Sequence, residues 1–217
     1  MADLTVLAPL SGIFGLLSAI SWGTGDFCGG LATKRSPGLR IVMVTEFVGA
    51  AVLIVLALVV GEAAPTGASF LFAIGAGLAG VVGLGALYQG LAAGQMGVIA
   101  PLSAIVGGVV PIVVGLATEG APSPVQLLGF GVALLAVWLL AAAGEFRPSR
   151  RELLLAVVAG LGFGFYFVLI AYASDGGLFW NLSVARVVAG FALLALLLIT
   201  RQPLWPTQSA WGLTTGA

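Results

Sequence analysis

The chain has 217 residues, of which 60% are hydrophobic and only 7% charged, with a formal net charge of zero and no histidine. A water-soluble domain carries about a quarter of its residues as Asp, Glu, Lys and Arg, so this composition excludes a soluble globular protein and points to several membrane spans. Zero net charge argues against a nucleic-acid partner. The absence of histidine removes the commonest metal ligand and general base, and a single cysteine, Cys28, rules out an internal disulfide.

A membrane span needs about 20 mostly apolar residues, and seven stretches qualify: 11–32, 41–60, 69–91, 97–117, 125–143, 153–173 and 178–200. The first stretch lacks a preceding Lys or Arg and so reads as a retained span rather than a signal peptide. Within it Ser11, Gly15, Ser18, Trp22, Asp26, Gly29 and Thr33 recur at helical spacing and share one small or polar face. Small residues on such a face let neighbouring backbones approach. A carboxylate at membrane depth costs about 2.5–3.5 kcal/mol on insertion scales. Asp26 therefore either faces a wet cavity or sits near the helix end with its head at the interface.

In the third span Gly80, Gly83, Gly90 and Gly94 share a face and predict close helix contact. In the fourth, Pro101 and Pro111 each remove a backbone hydrogen bond, and the residues four before them are Gly97 and Gly107. Both prolines predict a kink, used either to line a cavity or for packing alone. The tail from 210 to 217 resembles the start of a further span.

Loop charges sort by side. Lys34, Arg35, Arg40, Arg147, Arg150, Arg151 and Arg201 fall on one side if spans alternate, whereas Asp3, Glu62, Glu119 and Asp175 fall on the other. The positive-inside rule makes the cation side cytoplasmic and the N-terminus external.

The pattern of the first two spans recurs from 153 to 201: Trp22-Gly23 lies on Phe163-Gly164, and Glu46-Phe-Val-Gly49-Ala50 lies on Arg186-Val-Val-Ala189-Gly190. Five spans separate the copies, and an odd number inverts the second one, as in the inverted repeats of secondary transporters.

Charges inside spans are Asp26, Glu46 and Arg186. Asp26 and Glu46 lie at similar depth on adjoining helices and are placed to share a proton, since close like charges raise one pKa. Arg186, the repeat-mate of Glu46, is expected at similar depth from the opposite face, so that only long side chains bridge the two. The aromatic set comprises Trp22, Tyr88, Phe163, Phe165, Tyr166 and Tyr172. Aromatic walls with few polar groups suit amphiphilic solutes, although for any single one of them plain packing is the commoner explanation. Trp180, Trp205 and Trp211 sit at span ends, where interfacial tryptophans gather. Asn181-Leu-Ser183 fits a glycosylation acceptor but lies at the edge of a span.

Trp22-Gly, the Leu87-Tyr88-Gln-Gly-Leu-Ala end of the third span, and Pro111 followed by Glu119 and Gln126-Leu-Leu-Gly129 together resemble the EamA-type branch of the drug/metabolite transporter superfamily. The stretch 86–131 carries most of the likeness, with a gap from Glu119 to Gly129 one residue longer than is usual in the family. The resemblance implies a ten-span, all-α exporter of two inverted five-helix repeats, with residues 1–145 as the first repeat and 150–217 as part of the second. About seven complete helices of the ten are present, so three spans, about 70–80 residues by span and loop sizes, are expected beyond residue 217, and the chain alone is not expected to transport. Relatives generally keep both termini cytoplasmic, opposite to the loop-charge expectation.

The function expected is a secondary transporter of the cytoplasmic membrane that exports a small metabolite or drug-like solute, without metal or cofactor; Asp26 makes protons the candidate coupling ion, with facilitated diffusion as the alternative. Trp22, Asp26, Glu46, Tyr88, Phe163, Tyr166 and Arg186 are the residues expected to bind solute or couple it. An intramembrane aspartyl enzyme using Asp26 and Glu46, or a membrane scaffold, is the alternative. The orientation is testable: in a Cys28→Ser background, cysteines at Lys34 and Arg150 should be shielded from an impermeant thiol reagent in intact cells while those at Glu62 and Glu119 react. The reverse pattern would show that the family's usual orientation prevails over the charge bias.

Overall fold

In a computed structural model of the chain, residues 4–93, 96–142, 149–173 and 177–210 are described. They form seven helices: α1 (Leu4–Thr33), α2 (Gly38–Val60), α3 (Gly67–Ala93), α4 (Met96–Thr118), α5 (Pro124–Ala142), α6 (Arg150–Tyr172) and α7 (Leu178–Ile199), followed by a short 3-10 turn at Gln208–Ala210. Each expected span coincides with one helix. Over the described residues, α2, α3, α4, α6 and α7 are long and apolar enough to cross a membrane, and α5 is apolar along nearly all of its 19 residues. Helix α1 has the length to cross as well, with the polar residues Ser18, Ser21, Thr24 and Asp26 gathered from its middle onward.

Three helices start three or more residues ahead of the sequence expectation, α2 among them at Gly38 rather than residue 41. Helix α1 starts at Leu4 rather than at residue 11. Helix α6 starts at Arg150, ahead of the expected residue 153, because Ser149 caps it: the Ser149 hydroxyl accepts from the Glu152 N–H, and the Glu152 carboxylate accepts from the Ser149 N–H at 2.6 Å. This reciprocal box satisfies two of the N–H groups that a helix start leaves open. Arg150 and Arg151 are thus first-turn residues rather than loop. The expected further span after 210 falls outside the described residues, as do Gly94, Asp175 and Arg147.

Helix α6 makes the largest contacts, against α3 and α4, and α2 packs along α7. The α6 interface is built of glycine. A Cβ on Gly162 would lie 2.6 Å from the backbone of Gly83, one on Gly80 would meet the Tyr166 ring at 3.0 Å, and one on Gly160 would reach the Ser103 carbonyl at 2.6 Å. The predicted glycine face of α3 is therefore a contact face, with Gly90 set against Ile99 and Leu155. Helix α4 continues through Pro101 and Pro111 without interruption. The Gly107 carbonyl, which Pro111 leaves without its helical donor, lies against Gly164 of α6, where a Cβ would come within 2.9 Å of it.

Hydrogen bonds stitch the bundle at both ends. At one end Arg35 Nη1 donates to the Ser209 carbonyl (3.1 Å), Thr207 Oγ1 donates to the Arg35 carbonyl (2.7 Å), and the Thr207 N–H donates to Ser36 Oγ (3.2 Å). At the other, α2 ends in a left-handed Gly61, with Glu62 N–H donating back to the Ala57 carbonyl. That turn delivers the Glu62 carboxylate to the start of α7, where it accepts from the N–H groups of Phe179 (2.8 Å) and Trp180 (3.2 Å). The Trp180 indole donates to the Glu62 carbonyl at 2.9 Å, so Trp180 is a bonded clasp more than a belt residue, whereas Trp205 is exposed. Ser69 and Asn181 both donate to the Ala173 carbonyl nearby. Asn181 and Ser183 are each 1% exposed, which closes the glycosylation motif to modification.

Adding a methyl at Gly162 must push backbone from backbone, so Gly162→Ala should lower stability by about 1–3 kcal/mol. Gly129→Ala, which faces open space, should change it by less than about 0.5 kcal/mol. Thermal unfolding of the two variants in the same detergent makes the comparison, and equal midpoints would refute the glycine account.

Candidate functional site

Two adjoining cavities open among α1, α2, α3, α6 and α7, a tight one of about 50 Å³ and a wider one of about 300 Å³. Trp22, Leu84, Tyr166 and Arg186 line both. Glu46 and Phe163 complete the tight cavity, and Asp26 and Tyr88 the wide one, so all seven residues expected from sequence to bind solute converge here. Pro101 and Pro111 do not; Pro111 lines a separate groove between α4 and α5. Phe165 and Tyr172 also lie elsewhere, the latter against Phe72 at a ring separation of 5.6 Å.

The charges are arranged differently from the expected carboxylate pair. Glu46 Oε2 lies 3.5 Å from Arg186 Nη1, and their side chains are 8% and 30% exposed. Arg186 reaches Glu46 from α7 by lying across Gly49, where a Cβ would come within 2.9 Å of the guanidinium. Glu46 and Gly49 are three apart on one helix face, so the carboxylate and the notch for its partner are presented together. The packing is reciprocal: Gly190 of α7 takes the Phe47 ring of α2, and Phe47 meets Phe191 edge to face at 5.4 Å. Asp26 forms no ion pair or side-chain hydrogen bond among the described residues, Glu46 included. It stands as a free carboxylate in the wide cavity, with Trp22 one turn before it.

Tyr88 is 2% exposed and rests its phenol on Gly29, which leaves no room for a side chain there. Tyr166 is seated on Gly80 in the same way. The small face of α1 is used only in part. Gly29 and Thr33 are buried and Asp26 half-buried, but Gly15 meets nothing within 4 Å, and Ser18 and Trp22 are exposed. The expectation of close backbone approach thus holds at one end of α1 and not at Gly15. The seat at Gly49 and the wall residues Thr45, Leu53 and Leu182 were not singled out from sequence. A glycine three residues from a membrane carboxylate was the available signal for the first; nothing in the pattern marks the others. Among the described residues no group of three or more His, Cys, Asp or Glu side chains is placed to hold a metal ion.

The model of the EamA-like transporter family matches residues 10–142, more than half of the chain. The chain belongs to the EamA-like transporter family. It is accordingly a multi-pass membrane protein of a family of small-solute transporters, not of enzymes. No curated protein matches the chain. Trp22, Asp26, Glu46 and Tyr88 fall within the matched residues, whereas Phe163, Tyr166 and Arg186 lie beyond them.

Removing the guanidinium leaves Glu46 buried without a counter-charge, so Arg186→Gln should destabilise by about 1–3 kcal/mol. Glu46→Gln combined with Arg186→Gln should recover about half or more of that loss, because the orphaned charge is gone. A double-mutant cycle read by thermal unfolding measures this, and strictly additive losses would show that the 3.5 Å pair is not energetically coupled.

Proposed function

We infer that this protein is a secondary transporter that carries a small metabolite or drug-like solute out of the cell across the cytoplasmic membrane by alternating access. The single observation that supports this most is the convergence of Trp22, Asp26, Glu46, Tyr88, Phe163, Tyr166 and Arg186, drawn from five helices, on connected cavities. In a transporter family such a chamber is the natural place for cargo. Its aromatic walls suit an amphiphilic solute, and its charges set a preference. Asp26 and Glu46 as carboxylates against one guanidinium leave one negative charge over, which a solute cation or a proton balances. Asp26, which has no ion pair among the described residues, is the group that takes it, while Glu46 is held by Arg186.

Alternating access fits the two stitched ends. Rocking open one end breaks the Glu62 and Asn181 bonds to the start of α7 and the end of α6, and opening the other breaks the Thr207 and Arg35 bonds. Each set consists of a few hydrogen bonds worth about 0.5–1.5 kcal/mol apiece, small enough to be exchanged in a cycle. The reciprocal α2–α7 packing around Gly49 and Gly190 supports the inverted-repeat plan, with residues 1–145 and 150–217 as its two units.

A thermal-shift panel of amino acids, nucleosides, sugars and cationic dyes should find its largest stabilisation with a positively charged or zwitterionic amphiphile, about 2.7 kcal/mol at a hundredfold excess over Kd. Counterflow of that solute in proteoliposomes tests transport itself. Asp26→Asn should reduce binding and flux at least about tenfold with normal expression, a loss of about 1.4 kcal/mol, and Glu46→Gln should reduce them less. Unchanged binding, flux and pH profile in Asp26→Asn would remove the residue from the mechanism.

A further inference from the structure

A cavity larger than either of the central two lies apart from them, as a groove of about 680 Å³ between α4 and α5. Its walls are apolar along their length, with Ile105, Ile112, Leu116, Phe130 and Leu134 prominent. Its floor is opened by Gly108 and Gly115, where an added Cβ would meet nothing within 4 Å. From Ala104 to Glu119 the groove follows α4 for about 22 Å at 1.5 Å per residue, longer than one leaflet's share, about 15 Å, of the hydrocarbon core. Polar side chains lie only at one end, Glu119 and Gln126, and no Lys or Arg is among the lining residues.

That end has a definite charge preference. Glu119 is exposed and makes no ion pair among the described residues, and it sits just past the C-terminus of α4, whose carbonyl dipole adds to its negative field. The start of α5, which would favour an anion, is already satisfied by the exchange between Ser123 and Gln126: the Ser123 N–H donates to Gln126 Oε1 at 2.8 Å, and the Gln126 N–H donates to Ser123 Oγ. With alternating spans the acidic residues Asp3, Glu62 and Asp175 fall on the same side as Glu119, away from the loop cations. An anionic lipid headgroup is therefore repelled. A second copy of the chain seated here about a two-fold axis normal to the membrane would bring two Glu119 carboxylates to one depth, like charge against like. A primary ammonium suits the site: it neutralises Glu119 and donates charge-assisted N–H···O bonds.

We propose that the α4–α5 groove is a binding site for an amine-headed phospholipid, with the acyl chain lying over Gly108 and Gly115 and the ammonium on Glu119. The trimethylated headgroup of phosphatidylcholine has no N–H to donate, which sets the specificity.

The test is native mass spectrometry of the full chain in mild detergent with phosphatidylethanolamine, phosphatidylcholine or phosphatidylglycerol of identical chains. Phosphatidylethanolamine should be retained about tenfold over phosphatidylcholine, a difference of about 1.4 kcal/mol, and more strongly over phosphatidylglycerol. Glu119→Gln should abolish the preference. Gly108→Leu with Gly115→Leu fills the floor and should release all three lipids while leaving the thermal midpoint within a few degrees. Should the double-leucine variant misfold, the exposed Glu119→Gln change decides alone. Equal retention of the three headgroups, a preference that survives Glu119→Gln, or a lipid-free dimer cross-linked through cysteines at position 108 would overturn the proposal.

Discussion

The structure depends on backbone meeting backbone along α6. Inside a bilayer, helices gain no hydrophobic driving force from meeting each other, so close packing must supply it. Gly162 against Gly83, Gly160 against Ser103, and Gly164 against Gly107 let α6 sink between α3 and α4 until main chains touch. Depth there controls the site, because Phe163 and Tyr166 are carried on the same turns and their rings reach the cavity only when α6 is this close. The seat of Tyr166 on Gly80 shows the same economy of space: the glycine that permits contact also positions the ring.

The second constraint is electrostatic. Three charges at membrane depth are costly, and the fold treats them unequally. Glu46 and Arg186 are bound to each other across the α2–α7 interface, with Gly49 cut away for the guanidinium. Asp26 has no ion-pair partner among the described residues and lines the wider cavity. A paired charge fixes geometry, whereas an unpaired one is available to a proton or a solute. In the proposed transport reading, the division gives the chamber one positioning pair and one carboxylate open to solute.

The ends of the bundle are held by interactions of another kind. Glu62 on the first N–H groups of α7, and Thr207 on Arg35, are local hydrogen bonds between loops and helix ends. They close the molecule without fixing its core and are of a size that conformational exchange tolerates. Helix α5, by contrast, touches mainly α4, and the groove between them is shaped by missing side chains at Gly108 and Gly115 rather than by complementary ones.

Much of this was legible in the sequence. Composition and hydropathy pointed to an all-helical membrane protein, since continuous apolar runs of about 20 residues match a spanning helix, whereas a barrel strand needs only about 9–11. The spacing of Gly80, Gly83 and Gly90 marked a contact face, and the rarity of Asp26, Glu46 and Arg186 marked them as candidates, because polar groups survive in spans only where something compensates them. Their partners were not legible. The expected Asp26–Glu46 pairing gave way to Glu46–Arg186, two residues 140 positions apart, because which charges meet depends on how far each helix rises past its neighbour and on a side chain long enough to bridge the difference. The open side of α1 at Gly15 and Trp22 was likewise invisible, since a small-residue face is the same in sequence whether or not a helix lies against it. Periodicity belongs to one helix and can be counted along the chain. Register and pairing belong to two helices at once, and only tertiary packing sets them.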